Sequence, residues 1–239
     1  MKNLRINTSW DDGAYTDMKL LRLIEKYSIP AIFFIPAKNQ ERNVLGPKDI
    51  KEIRTIAEIG SHTYNHKYLS GIDVDDAVKE VIDGRKYLED ILSENICHFC
   101  YPGGKYTYSI ARQLKPIVKT ARTCYLMNVN RCDRFRIDTT FQLVYRQKSS
   151  MIKQVLAFAP LTMKPVLLKL LCSDYSIAQL LKLFLDYVVA QSIGDYHVHL
   201  WGHSWEIDQY NLWDEVEGLF KILGQYRNYF KNYSESVTF

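Results

Sequence analysis

The chain has 239 residues, of which 47% are hydrophobic and 24% charged, with a formal net charge of +4 and a sequence pI near 8.6. This is an ordinary globular composition, long enough to bury a sizeable core, and its small, unstriped positive surplus argues against a nucleic-acid partner. No apolar run reaches the roughly 18 residues that a spanning helix needs. The N-terminal residues lack the apolar stretch and cleavage site of a secretory leader, so a cytoplasmic location is the expectation. Five cysteines form no even set, so reduced thiols are expected rather than a disulfide framework.

In chain order, residues 4–10 read as a short apolar strand that ends on Asp11 and Asp12, with Gly13 next. Residues 17–28 carry Leu20, Leu21, Leu23 and Ile24 at helical spacing. The unbroken apolar run 31–37 suits a strand buried on both faces. After the Gly46-Pro47 turn, Ile50, Ile53, Ile56 and Ala57 mark a helix over 47–59. A short strand over 58–62, a long amphipathic helix over 74–94 and a strand over 98–102 follow. Pro102, Gly103 and Gly104 stop that strand. A strand near 120–124, helices near 149–158 and 175–192, a last strand over 197–203 and a helix over 213–230 complete the pattern.

Strands that alternate with helices predict βαβ units and a parallel sheet. The expectation is an α/β chain folded as one deformed (β/α) barrel of about seven parallel strands, residues 1–239 forming a single domain. Such barrels build their sites at the C-terminal ends of the strands. Those ends carry Asp11 and Asp12, then His62 with His66 four residues on, then Tyr101 to Gly104, then His203. Two adjacent carboxylates repel each other, and burial raises the cost. A positive partner is therefore expected. A divalent metal ion is the simplest, since two imidazoles and one carboxylate form a ligand set that leaves positions open.

DDG after an apolar strand, SHTYNHKYLS, FCYPGG and LWGHSWE occur in the order and approximate separation of the polysaccharide deacetylases. The chain resembles this family, also called NodB-homology domains or carbohydrate esterase family four, from about residue 4 to about residue 215. The resemblance implies a metal-dependent hydrolase that removes the acetyl group from an N-acetylated saccharide. It implies metal ligands Asp12, His62 and His66, with zinc the usual metal, and Asp11 as general base. It also implies a backbone N–H at Gly103 as a donor to the developing oxyanion. His203 is the candidate acid for the leaving amine and His199 the fallback. Tyr101, Pro102, Trp201 and His199 are expected to line the substrate site.

Two positions depart from the family pattern. Cys100 stands where the third motif usually has an arginine that orients the base. The later segment that supplies a substitute in other members reads Thr139 at the expected place, which leaves Arg134 and Arg136 as candidates. Gly103 replaces the motif's usual tyrosine. Competing readings are a hydrolase of a different amide, and a retired scaffold that only binds carbohydrate.

Other signals have plainer readings. Cys97 and Cys100 lie in a strand rather than at a helix N-terminus, so CxxC reads as two free thiols and not a redox pair. A four-thiolate zinc site with Cys124 and Cys132 is badly spaced. His98 and His197 read as interior histidines. Trp201, Trp205, Tyr210 and Trp213 form an aromatic group suited either to a sugar face or to packing. The basic, apolar segment 161–175 reads as packing on the barrel rather than on a membrane. Arg131, Arg134 and Arg136 read as a solvated loop or as a phosphate grip.

Overall fold

The computed structural model describes residues 2–126, 128, 129, 133–143, 148–159, 161, 164–172, 176–191 and 193–237. The elements run β1 (Lys2–Asp11), α1 (Asp17–Tyr27), β2 (Ala31–Ile35), α2 (Pro47–Arg54), β3 (Glu58–Ser61), α3 (Val74–Leu92) and β4 (His98–Cys100). They continue with α4 (Tyr108–Gln113), β5 (Thr120–Arg122), β6 (Phe141–Gln142), α5 (Lys148–Phe158), α6 (Lys164–Leu171) and α7 (Ile177–Ala190). The chain closes with β7 (Gly194–Gly202), α8 (Ser204–Gln209), α9 (Trp213–Leu223) and α10 (Tyr233–Ser236).

The seven strands form one sheet in the order β5-β4-β3-β2-β1-β7-β6, and every pairing is parallel. The expected barrel is therefore the fold. Its two edges are bridged by residues 137–142. Ile137 pairs with Arg122 of β5, while the Thr140 N–H donates to His199 O and Phe141 pairs with Leu200, both of β7. The curl brings the ends of β5 and β1 to face each other across the interior.

Each layer follows from residue alternation. On β2, Phe33 and Ile35 face the helices and join the main core, while Ile32 and Phe34 point into the barrel with Cys100, Ile137 and Tyr233. Both faces are covered, which is why the strand has no polar position. β1 differs. Its outward residues Leu4, Ile6 and Trp10 pack on the helices, but its inward residues are Arg5, Asn7, Ser9 and Asp11. β7 answers them: Arg5 pairs with Asp195, Asn7 Oδ1 lies 3.1 Å from His197 Nε2, and Ser9 Oγ lies 2.8 Å from His199 Nε2. Buried polar groups need such partners, and the inner faces of β1 and β7 supply them to each other.

Boundaries shift by a few residues from the sequence reading. The closing helix stops at Leu223 and a tighter 3-10 turn covers Gly224–Tyr229. α4, α6, α8, α10 and the two-residue β6 were not anticipated, being too short to show a clear period. No helix among the described residues is long and apolar enough to cross a membrane.

Candidate active site

The site stands at the C-terminal ends of β1, β3, β4, β5 and β7. β1 ends at Asp11, and Asp12 takes φ +79°. That left-handed turn breaks the alternation which would send neighbouring side chains to opposite faces. His66, in the loop after β3, is also left-handed at φ +55°, as is Thr63 at +66°. Such conformations persist only where their surroundings hold them. Here Glu80 of α3 does so. Its carboxylate accepts from Asn65 N at 2.9 Å and from Asn65 Nδ2 at 2.8 Å. Gly84 lets α3 approach so closely that a Cβ would lie 2.4 Å from the Thr63 carbonyl carbon.

The donor atoms of Asp12, His62 and His66 all lie within 4.8 Å of one another. Asp12 Oδ1 is 2.9 Å from His66 Nε2 and 3.6 Å from His62 Nε2. His62 Nδ1 lies 2.8 Å from the Cys100 carbonyl oxygen. A carbonyl only accepts, so Nδ1 carries the hydrogen and Nε2 offers its lone pair to the centre. The set therefore fits a divalent cation in number and chemistry, and His62 does so in tautomer as well. The other oxygen of Asp12 accepts from Arg42 NH1 at 2.6 Å and Trp205 Nε1 at 2.9 Å. The Arg42 guanidinium stacks on the Trp205 ring at 3.9 Å. Burial alone would raise the pKa of Asp12. The neighbouring His62, His66 and His203 outweigh it, holding the carboxyl well below the usual range.

Asp11 has a different partner. Arg122, at the end of β5, engages both of its oxygens, and both side chains are buried. The guanidinium lies between Phe34 at 5.2 Å and Trp201 at 5.0 Å. Arg122 NH1 donates to Thr123 O at 3.0 Å, and Cys100 Sγ is 3.7 Å from Asp11 Oδ2. This corrects the search for the orienting arginine. Thr139 is buried and bonds Tyr125 O at 2.8 Å. Arg136 Nε lies 3.6 Å from Asp138, and Arg134 lines a cavity with His98 and Lys119 at the N-terminal ends of the strands. The signal for Arg122 was an arginine in a short strand between alanine and threonine. Its inward direction, not its spacing, makes it the partner of Asp11.

His203 approaches Asp12 Oδ2 with Nε2 at 3.9 Å and sets Nδ1 2.8 Å from Glu206 Oε2. Burial would lower its pKa. The Glu206 hydrogen bond and the charges of Asp12 and Asp11 prevail, pushing it up to about 9, so the ring is protonated at neutral pH. Sequence reasoning missed Glu206, which stands three residues after His203 on the first turn of α8. Ser204 Oγ donates to the buried Asp17 Oδ1 at 2.5 Å, tying the start of α8 to the start of α1.

Several expected substrate residues lie elsewhere. Tyr101 is fully buried, stacked on Tyr106 at 4.3 Å with its hydroxyl 3.3 Å from Phe135 O, so its ring belongs to the core. Pro102 is buried beneath the turn. Trp201 is 2% exposed and serves as a wall for Arg122, not as a sugar platform. His199 is wholly buried against Ser9, its ring against His197 and Tyr233; burial keeps it neutral, which removes it as a fallback acid. Gly103 is exposed on the rim at φ +58°. Cys97, Cys100, Cys124 and Cys172 are free thiols, while Arg131 and Cys132 lie outside the described residues. Trp213 Nε1 bonds Asp208 and Tyr210 is largely exposed.

Residues 2–117 match the family model described as polysaccharide deacetylase. The chain is 31% identical over 114 residues to the peptidoglycan-N-acetylglucosamine deacetylase of Bacillus cereus, an alignment covering 46% of this chain and 51% of that protein. The chain thus spans about half the length of that curated relative. The Xyl-CE4 domain of a multidomain xylanase from the hindgut metagenome of Trinervitermes trinervoides superposes with a TM-score of 0.58 at 13% identity, over 98% of this chain and 89% of that one. A CE4-family pseudoenzyme from Bacillus anthracis reaches 0.58 at 10% identity, over 99% and 66%. At such identities these two likenesses concern the fold. The likeness to the polysaccharide deacetylases read from the motifs is borne out through residues 2–117, the stretch that carries Asp11, Asp12, His62, His66 and Gly103.

Proposed function

We propose that this chain, polysaccharide-deacetylase-like through residues 2–117, is a metal-dependent hydrolase that removes the acetyl group from an N-acetylated amino sugar in a saccharide or glycoconjugate. The carrying observation is the division of labour between Asp11 and Asp12: Asp12 faces the imidazoles of His62 and His66, while Asp11, although its carboxylate also comes within 4.8 Å of His62, has both oxygens engaged by Arg122. Asp12, His62 and His66 would hold the cation, and zinc suits one carboxylate with two imidazoles. When bound, such an ion acidifies water and polarises a carbonyl oxygen.

The chain's own residues supply the remaining steps. Asp11, fixed by the Arg122 fork, accepts the proton of the attacking water. The N–H of Gly103 is the donor for the oxyanion, a contribution typically worth about 2.7–4 kcal/mol. His203, held protonated by Glu206, gives its proton to the departing amine, which adds roughly 10²–10⁴-fold. The same reading takes residues 1–239 as one domain. In its support, Arg122, Trp205, His203 and Glu206, all beyond residue 117, surround the two carboxylates.

Arg122 also weighs against a retired scaffold, since it provides the partner that Cys100 cannot. The test pairs bound-metal analysis with acetate release from a panel of N-acetylated sugars, for wild type and Asp11→Asn. The expected result is metal in both proteins and acetate from wild type alone. Metal in both with no acetate from any sugar would favour another amide or a binding role. Failure to bind zinc would sink the ligand set.

A further inference from the structure

Gly103 lies on the rim beside the β3–α3 loop that carries His66. A Cβ added there would lie 2.8 Å from Tyr68 Cε1 and 3.2 Å from Tyr68 Cζ. The ring of Tyr68 therefore rests directly on the backbone of the Gly103 turn, and only glycine leaves it room. Tyr68 as a whole is nonetheless 56% exposed. Tyr68 precedes a short 3-10 turn whose Leu69 is fully buried, and Glu80, which pins Asn65, also lies 3.3 Å from Lys67 Nζ. The backbone that carries the ring is thus held on both sides, and it stands two residues from His66.

We infer that Tyr68 is a saccharide-binding subsite: its exposed face stacks on the pyranose ring next to the one that enters the site. This rests on the proposed deacetylase reading and adds the requirement for a second sugar. Two observations support it. A large aromatic side chain left open to solvent has an apolar face and a polar tip, the combination a sugar's C–H surface and hydroxyls can use. A ring backed by a turn, on a pinned loop, loses little freedom when a ligand covers it. Because His66 and Tyr68 share that loop, their separation is constant, and the subsite keeps a set distance from the reacting centre.

The experiment measures binding of N-acetylglucosamine and of its β-1,4-linked pentamer by calorimetry, on zinc-loaded Asp11→Asn so that nothing is consumed. Adding Tyr68→Ala is expected to weaken the pentamer about tenfold and leave the monomer unchanged. Tyr68→Phe and Tyr68→Trp should bind as the parent does, because stacking needs the ring and not the hydroxyl. Gly103→Ala, whose methyl would meet the ring, displaces it by a second route and should cost the pentamer a similar factor. In the active enzyme, Tyr68→Ala should raise KM for the pentamer and leave kcat within about twofold. Equal pentamer affinity with and without Tyr68→Ala would overturn the subsite, as would an Asp11→Asn parent that prefers neither sugar. Acetate release by wild type is scored separately, so an inactive wild type counts against the deacetylase reading and pentamer binding still decides the subsite.

Discussion

Asp11 and Asp12 are neighbours in sequence, yet their surroundings have little in common. Asp11 belongs to the barrel interior. Its partner is one buried guanidinium between two aromatic rings, and the column beyond it holds His199 and His197, both kept neutral by burial. Asp12 belongs to the rim. It meets five side chains, His62, His66, Arg42, Trp205 and His203, and there His203 is kept charged. The interior side depends on one strong, dry pair. The rim side also buries its carboxylate but spreads the charge over several partly exposed partners. A base that must hold its orientation suits the first environment, and a metal ligand that must exchange partners suits the second.

The comparison is broken most severely at Arg122. Arg122→Met leaves Asp11 as an uncompensated buried charge, for which about 3–5 kcal/mol of stability is the expected loss in urea unfolding. Arg122→Lys keeps the charge but not the fork, so it should recover much of the stability and little of the proposed deacetylation. Arg42→Met, on the rim, should cost less, about 1.5–3 kcal/mol, because Trp205 and His66 still hold the buried Asp12. Equal losses at the two arginines would mean that the two sides are not different in kind.

Acid tests the same contrast. Burial, with the charge of Arg5, pushes the pKa of His197 down to about 3, and burial, with Lys119, brings His98 down to about 4. Both lie below the ordinary value near 6.5, so the unfolded chain binds protons first as pH falls. Their contribution is complete above about pH 6.5 and is lost progressively toward pH 3–4, with a slope of up to about 1.4 kcal/mol per unit for each ring. His197→Gln should flatten that slope in melts from pH 7 to 4. An unchanged slope would mean that His197 is not a buried neutral ring.

The smallest effect is expected at Glu206. His203 must be protonated to serve as acid, so activity falls as pH rises through its pKa of about 9. Glu206→Gln removes a stabilising charge and should move the alkaline limb of the pH–rate profile down by about one unit, with the acid limb in place. A limb that stays put would assign the proton to another group.

Much of the rim was legible in the chain. Asp12, His62, His66 and His203 each follow an apolar strand, and strand ends in a parallel barrel share one rim. Glu206, one helical turn from His203, is within the same local reach. The interior was not legible. Arg122 is an ordinary arginine in a three-residue strand until β5 curls round to face β1. Trp201 looked suited to a sugar and His199 to an acid because alternation says which face a side chain takes, not what covers that face.

Periodicity and residue type were enough for the parallel strand–helix order, the strand that ends in two carboxylates, and the histidine pair that answers Asp12. Those features are local, carried by periodicity and by residue types within a few positions of a strand end. Folding in three dimensions was needed for Arg122 to hold Asp11, for Trp201 and Phe34 to enclose that guanidinium, and for Tyr68 to lie on Gly103. Each of these unites segments tens of residues apart, and the curl of a closed sheet, which no local pattern encodes, sets their distances.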